Sequence, residues 1–378
     1  MVNEAFSIYI HIPFCSKKCP YCHFFVVSSK SKESKEPRYV KALLNEWKMK
    51  KHIIPKDQVI SVYFGGGTPT ELSTDYLCGI IASFKNEYPN VQEVTVEANP
   101  ESVDLEKIQR IKEAGCNRIS LGVQSLIEEE LLLLKRQHQS SKAKESVEII
   151  KQAGIDNITI DLMYDIPGQS LRSFEKTLEE IAQLPITHLS LYNLVIEENT
   201  PFKRIEKSLT KMMPKQEDSL KMLHLAIEKL ESYGLKRYEI SAFAKPGFES
   251  IHNTGYWLSR PFVGLGPSAF SDSGITRYQN VCNLSAYLEK VESGIDPKDF
   301  EETLEPLARS KERFIVNLRM FKTIDLDLFQ STHVAFDETF FQNLKKLHDL
   351  DYVKLDHQTA ILTAKGADFF EEVAIALI

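Results

Sequence analysis

Short strand-type runs alternate with longer amphipathic stretches over most of this chain, and that alternation sharply limits the folds open to it. Runs at 7–12, 59–64, 93–98, 117–122, 157–163, 188–194 and 237–243 read as strands, several bounded by Gly, Pro or Asn. Helical periodicity covers 38–51, 105–114, 143–153, 171–184 and 215–233 between them. Ala114-Gly115 and Ala153-Gly154 have the form of helix ends closed by glycine. Steps of roughly 25–50 residues predict βαβ units on a parallel sheet. Right-handed crossovers curl about six such units into an α/β fold, a partial (βα)6 TIM-like barrel. Binding and catalytic groups then gather at C-terminal strand ends. Cys15, Gly65–Gly67, Glu97, Gln124 and Asp161 all fall at or near such ends.

The pattern changes near residue 300. Helices over 305–321 and 337–350 precede a strand at 352–355, a turn at Asp356-His357, a return strand at 359–362 and a last helix. Two helices and a hairpin predict a smaller C-terminal α+β unit of winged-helix type. The expected organisation is a barrel over 1–243, a linking segment over 244–300 and the C-terminal unit over 301–378. The polar stretch Ser28–Pro37 reads as a loop. With a net charge of −7 and no basic recognition face, nucleic acid is not an expected partner. The N-terminus has no secretory-signal pattern, and no apolar run approaches the roughly 20 residues of a membrane span, so a cytoplasmic protein is expected.

Six cysteines stand at 15, 19, 22, 78, 116 and 282. Cys78, Cys116 and Cys282, scattered singly, read as small core residues. The others form a C-x3-C-x2-C cluster in a loop after the first strand, a spacing that wraps one compact metal centre. Zinc would take these three thiolates and a fourth ligand such as His23. A [4Fe–4S] cluster normally takes four thiolates, so three would leave one iron open to another ligand. Spacing alone leaves both metals in play.

The segment His11–Cys22, with Gly65-Gly66-Gly67-Thr68-Pro69 after the second strand, resembles the radical S-adenosylmethionine (SAM) superfamily. Similarity continues over roughly residues 7–290 to the family of oxygen-independent coproporphyrinogen III oxidases and HemW-type heme chaperones. The matching segments include Val96–Pro100, Arg118–Ser125, Lys135–His138, Asp161–Gln169 and His252–Trp257. The resemblance implies that Cys15, Cys19 and Cys22 hold a [4Fe–4S] cluster whose open iron is chelated by SAM. It implies further that Tyr9, Gly66, Gly67, Thr68, Glu97, Gln124, Arg136 and Asp161 surround SAM. His252-Asn253-Thr254-Gly255-Tyr256-Trp257 resembles the H-N-x-x-Y-W signature of the chaperones, which makes His252 the expected heme ligand.

Phe24 stands where the oxidases carry a further cysteine, which favours the chaperone branch. Three positions depart from that branch: Phe270 for a histidine, Asp165 for a glycine and His23 for an aspartate. The expected function is a heme chaperone carrying a SAM-ligated cluster and passing heme to an acceptor, such as a membrane-bound respiratory heme protein. The alternative is the oxidase itself, a radical SAM enzyme that decarboxylates coproporphyrinogen III.

Overall fold

The computed structural model describes residues 5–28 and 32–378. Six strand–helix units follow one another: β1 (Phe6–Ile12) with α1 (Lys32–Lys50), β2 (Val59–Gly66) with α2 (Thr74–Glu87), and β3 (Glu93–Ala98) with α3 (Leu105–Glu113). Then come β4 (Arg118–Gln124) with α4 (Ser140–Gln152), β5 (Asn157–Tyr164) with α5 (Leu171–Ile181), and β6 (His188–Asn193) with α6 (Gln216–Ser232). The strands pair in parallel from β1 to β6, so each C-terminal end opens on the same side. Gly115 and Gly154 do take the positive φ expected after helices α3 and α4.

Strand periodicity sorts the residues into two unlike faces. Ile8, Ile10, Ile12, Val62, Phe64, Val94, Val96, Ile119, Leu121, Ile158, Ile160 and Leu189 are all buried on the helix-covered face. Register places Ser7 beside Ser61, Tyr9 beside Tyr63, Glu97 beside Ser120 and Asp161 beside Ser190 on the other. A parallel sheet normally buries two apolar faces. Here the inner face is polar and its groups must bond with one another or with a ligand.

The sheet extends beyond the six units. β7 (Lys236–Glu239) and β8 (Ala242–Ala244) stand where one strand over 237–243 was expected. They run antiparallel, and the Arg237 guanidinium donates to the Ile240 carbonyl at 2.7 Å across the bend. The segment expected as a connector instead carries α7 (Ile251–Trp257), β9 (Phe262–Leu265), β10 (Phe270–Asp272), β11 (Thr276–Asn280), α8 (Leu284–Glu292) and β12 (Lys298–Thr303). The sheet order is β12-β11-β10-β9-β1-β2-β3-β4-β5-β6-β8-β7, with β9 parallel to β1. Short strands such as β9 and β10 lack the length that makes periodicity legible.

Two further expectations are corrected. The stretch read as a loop enters α1 at Lys32, because its Lys and Glu residues favour a solvated helix as readily as a loop; positions 29–31 lie outside the described residues. Cys282 is exposed, whereas Cys116 is buried and Cys78 half-buried.

The C-terminal unit packs α9 (Pro306–Leu318), β13 (Ile324–Asp325), α10 (Leu326–Thr332) and α11 (Glu338–Asp349) on a hairpin of β14 (Val353–Leu355) and β15 (Thr359–Leu362). Helices α12 (Ala364–Asp368) and α13 (Phe370–Leu377) close it. Strand β13 makes the sheet three-stranded, and Phe314, Phe329, Phe336 and Phe340 form an aromatic core. Asn317 donates to the Trp257 carbonyl at 3.0 Å, and the Arg319 guanidinium lies 4.0 Å from the Trp257 ring centroid, which ties α9 to α7. No helix among the described residues is long and apolar enough to cross a membrane.

The end of the sheet opposite the strand C-termini is closed by α7. Glu93, 3% exposed, accepts from the backbone N–H of Ile251 and His252, both at 2.9 Å, and lies 3.7 Å from the Arg118 guanidinium. Removing that carboxylate would leave a buried guanidinium without its counter-charge. Glu93→Ala should therefore lower unfolding free energy by about 3–5 kcal/mol, read from urea denaturation.

Candidate functional site

At the C-terminal strand ends a cavity of about 400 Å³ is lined by Cys15, Cys19, Cys22, Gly66, Gly67, Thr68, Glu97, Gln124, Arg136 and Asp161, among others. Tyr9 and His252 do not border it. Tyr9 lies deeper, its ring 6.2 Å from Tyr63 and its hydroxyl 3.2 Å from His11 Nδ1.

The cysteine loop leaves β1 and is closed at its base by a short parallel pairing of Phe14–Cys15 with Val27–Ser28. Gly67 N–H donates to the Ile12 carbonyl and Thr68 N–H to the Phe14 carbonyl, both at 2.8 Å. This contact explains two of the glycines. A Cβ on Gly67 would stand 2.5 Å from the Phe14 carbonyl oxygen, and one on Gly66, at φ +111°, would strike the His11 ring at 2.6 Å. The His11 Nε2 in turn meets the Phe25 carbonyl at 2.9 Å, at the far end of the cysteine loop.

A second set of bonds reaches the thiols from the neighbouring strands. Arg136 Nη2 donates to Asn99 Oδ1 and to the Gly122 carbonyl, both at 2.6 Å, while Nη1 lies 3.5 Å from Cys19 Sγ. Asn99 Nδ2 donates to Thr68 Oγ1 at 2.9 Å, and that hydroxyl faces Cys15 Sγ at 3.7 Å. Asn99 thus joins Arg136 to the glycine loop. Nothing but its place in the Val96–Pro100 segment, at the end of β3, would have pointed to it in the sequence. Burial lowers the affinity of Arg136 for its proton, but Tyr21, Cys19 and Glu101 overcome that and hold it charged.

Two carboxylates face the cavity from adjoining strands. Tyr63 donates to Glu97 at 2.7 Å and the Gly66 N–H at 3.2 Å. Ser120 Oγ donates to Asp161 at 3.0 Å. Burial, opposed by the Tyr63 bond and reinforced by the charge of Asp161, raises Glu97 to about 7. Burial, opposed by bonds from Ser190 and Ser120, raises Asp161 to about 6. Gln124 enters the cavity from a bulge where β4 slips against β5, with φ +70°.

The donor set fits a cluster with an open iron and a cationic amino-acid ligand. Three thiols border one cavity, although among the described residues no three metal-type side chains converge on a single point. Burial raises the Cys15 and Cys22 thiols, so these two hold their protons until a metal displaces them. The Nε of Arg136 is buried without a partner, a donor left for a ligand.

His252 is committed elsewhere. It is 1% exposed at the closed end of the sheet, stacked on Tyr63 at 4.9 Å. Its Nδ1 meets Ser61 Oγ at 3.0 Å and its Nε2 meets Tyr256 Oη at 2.9 Å. Burial and the charge of Arg260 lower its pKa to about 3. The imidazole expected to take heme iron is therefore a neutral packing group, with both nitrogens used, in this conformation. Of the departing positions, Asp165 has φ +61°, which accounts for a glycine there, and its carboxylate accepts from Asn193 at 2.8 Å. Phe270 is exposed on β10, and His23 is exposed at the cavity.

A family model of the radical SAM superfamily matches residues 9–181, and one of the HemN C-terminal domain matches residues 304–369. The chain is 32% identical over 372 residues to the heme chaperone HemW of Bacillus subtilis (strain 168), covering 97% of each chain. It is 30% identical over 376 residues to the heme chaperone HemW of Lactococcus lactis subsp. lactis (strain IL1403), covering 99% of this chain and 97% of that one. Coproporphyrinogen III oxidase (HemN) from Escherichia coli, a radical SAM enzyme, shares the fold: TM-score 0.86, 23% identity, 99% of this chain and 90% of that one.

Two outcomes follow from the geometry. Gly67→Ala should cut the iron retained per chain after anaerobic reconstitution, because the added Cβ pushes the glycine loop off the cysteine loop. Glu97 holds its proton in the folded state up to about 7, so its contribution is complete below its unfolded pKa and is lost as pH rises. The melting temperature of the metal-free protein should therefore fall across that window, and Glu97→Gln should flatten the fall.

Proposed function

Because the chain belongs to the HemW family of heme chaperones within the radical SAM superfamily, we propose that it binds heme and delivers it to an acceptor protein. The heme reading is supported by likeness to the heme chaperones over nearly the whole chain, and its cluster and SAM site by one observation, the cavity that gathers three thiols, a glycine cradle, Arg136 and two raised carboxylates. Cys15, Cys19 and Cys22 would hold a [4Fe–4S] cluster, and bound SAM would supply the ligand to its open iron. Gly66, Gly67 and Thr68 would pass along the amino-acid part of SAM, with Tyr9 behind them. Glu97 and Asp161 would accept from its ammonium or ribose groups, and Gln124 and Arg136 would donate to its oxygens.

The residues of this chain prepare that site before any ligand arrives. Tyr63 and Ser120 fix the two carboxylates, and Asn99 fixes Arg136 against the glycine loop. A cationic ligand entering beside Glu97 favours the ionised carboxylate, so binding should release a proton near neutral pH. The proposed acceptor is a membrane-bound respiratory heme protein, and the proposed compartment is the cytoplasm.

Anaerobic reconstitution with iron and sulfide tests the cluster. Wild-type protein should bind close to four irons per chain, with the brown absorbance of a cluster. Cys15→Ser, Cys19→Ser and Cys22→Ser should each lose most of it. A Cys22→Ser protein with a full complement of iron would remove the ligand assignment. Saturable hemin uptake by the reconstituted wild type, followed by transfer to an apo-heme protein, tests the carrier reading; no uptake would end it.

A further inference from the structure

We propose that heme docks at the rim of the thiol cavity with His23 as the axial ligand to its iron. This rests on the heme-carrier reading and assigns the place of the cargo within the same site.

The rim is unlike the floor. Phe24, Tyr192 and Val195, which border the cavity, are 54%, 45% and 58% exposed. Exposed aromatic and aliphatic side chains at the border of the cavity offer a surface on which a flat apolar ligand loses water. His23 stands at their edge, exposed, with its ring 4.4 Å from that of Phe24. It makes no hydrogen bond or ion pair among the described residues. Of the other imidazoles near the sheet interior, His11 meets Tyr9 and the Phe25 carbonyl, His138 meets Glu101 and the Val123 carbonyl, and His188 meets Tyr238 through Nε2 while its Nδ1 is fully buried without a partner. His252 has both nitrogens bonded. Among the described histidines, His23 borders the thiol cavity with an exposed ring, whereas the unpartnered Nδ1 of His188 is enclosed in the sheet interior.

Charge completes the match. Lys17 and Lys135 border the same cavity with exposed side chains, and the Lys17 carbonyl accepts from Cys15 Sγ at 3.2 Å within the thiol loop. An iron porphyrin dicarboxylate presents an apolar face, an iron that takes imidazole, and two anionic arms. The cavity border presents aromatic surface, an imidazole and three lysines, of which Lys18 already donates to the Phe24 carbonyl at 2.9 Å, against the rim carboxylate of Glu197. Binding is coordination of the imidazole to ferric iron and needs no electron transfer.

The test is an anaerobic hemin titration of the full-length, cluster-bearing protein, followed by absorbance, for wild type, His23→Ala, His23→Met, His252→Ala and Lys17→Ala/Lys135→Ala. Iron retained per chain before hemin addition and thermal unfolding are measured on each. His23→Ala should lose the histidine-ligated heme spectrum and weaken hemin binding by about tenfold or more, with cluster iron and melting temperature unchanged. His23→Met should bind hemin with a shifted spectrum. The lysine pair should bind more weakly with the spectrum retained. His252→Ala should melt lower yet keep the wild-type heme spectrum. The proposal fails if His23→Ala titrates as wild type, if it loses cluster iron, or if His252→Ala abolishes the spectrum while still folded. Absence of saturable hemin binding by wild type would instead overturn the heme-carrier reading on which the proposal stands.

Discussion

The inner face of the sheet is polar along six parallel strands, and the rest of the structure is arranged around satisfying it. Strand periodicity sends Ile8, Ile10 and Ile12 under the helices and leaves Ser7, Tyr9 and His11 facing inward, and each following strand repeats the division. A polar face enclosed by a curled sheet is unfavourable unless its groups are bonded. At the closed end the protein bonds many of them internally, through Glu93, Arg118, Ser61, His252 and the N-terminus of α7, while Thr95 Oγ1, Thr159 Oγ1 and His188 Nδ1 are buried there without a partner. At the open end it leaves Glu97, Asp161 and Arg136 facing a cavity, where a ligand can complete what the protein does not.

That division explains why two conspicuous histidine-bearing segments have different fates. His252 belongs to the closed end and is consumed there, stacked on Tyr63 and bonded at both nitrogens. His23 belongs to the loop over the open end, where no strand neighbour reaches it. The same residue type is packing material in one place and an available ligand in the other. The backbone position relative to the sheet decides which.

The thiol loop depends on close approach between two loops that follow neighbouring strands. Gly66 and Gly67 let the second loop touch the first, and Asn99 and Arg136 brace the pair from β3 and beyond β4. The raised carboxylates come from the same crowding, since burial raises both, the charge of Asp161 adds to the shift of Glu97, and Arg118 and Arg136 only partly oppose the shift of Asp161. Stored proton affinity of this kind couples ligand charge to protonation.

The six strand–helix units and the cysteine and glycine motifs are legible in the chain because each depends on local periodicity or on short spacing. Long parallel strands carry runs such as Ile158–Leu162 that no turn or loop would hold. The sheet extension from β9 to β12 was not legible, because its strands are short and find their partners only through β1, some 250 residues earlier in the chain. The bend between β7 and β8 and the entry of α1 at Lys32 were hidden for related reasons, a side-chain bond to backbone in one case and ambiguous polar composition in the other. The sequence by itself determined the βα repeat, the thiol spacing and the glycine cradle, all set by neighbours along the chain. Only the tertiary structure decided that Asn99 braces Arg136, that burial raises the proton affinity of Glu97 and Asp161, and that His252 is buried while His23 is exposed. Those outcomes turn on which side chains from distant segments share a desolvated space, and no local pattern encodes that.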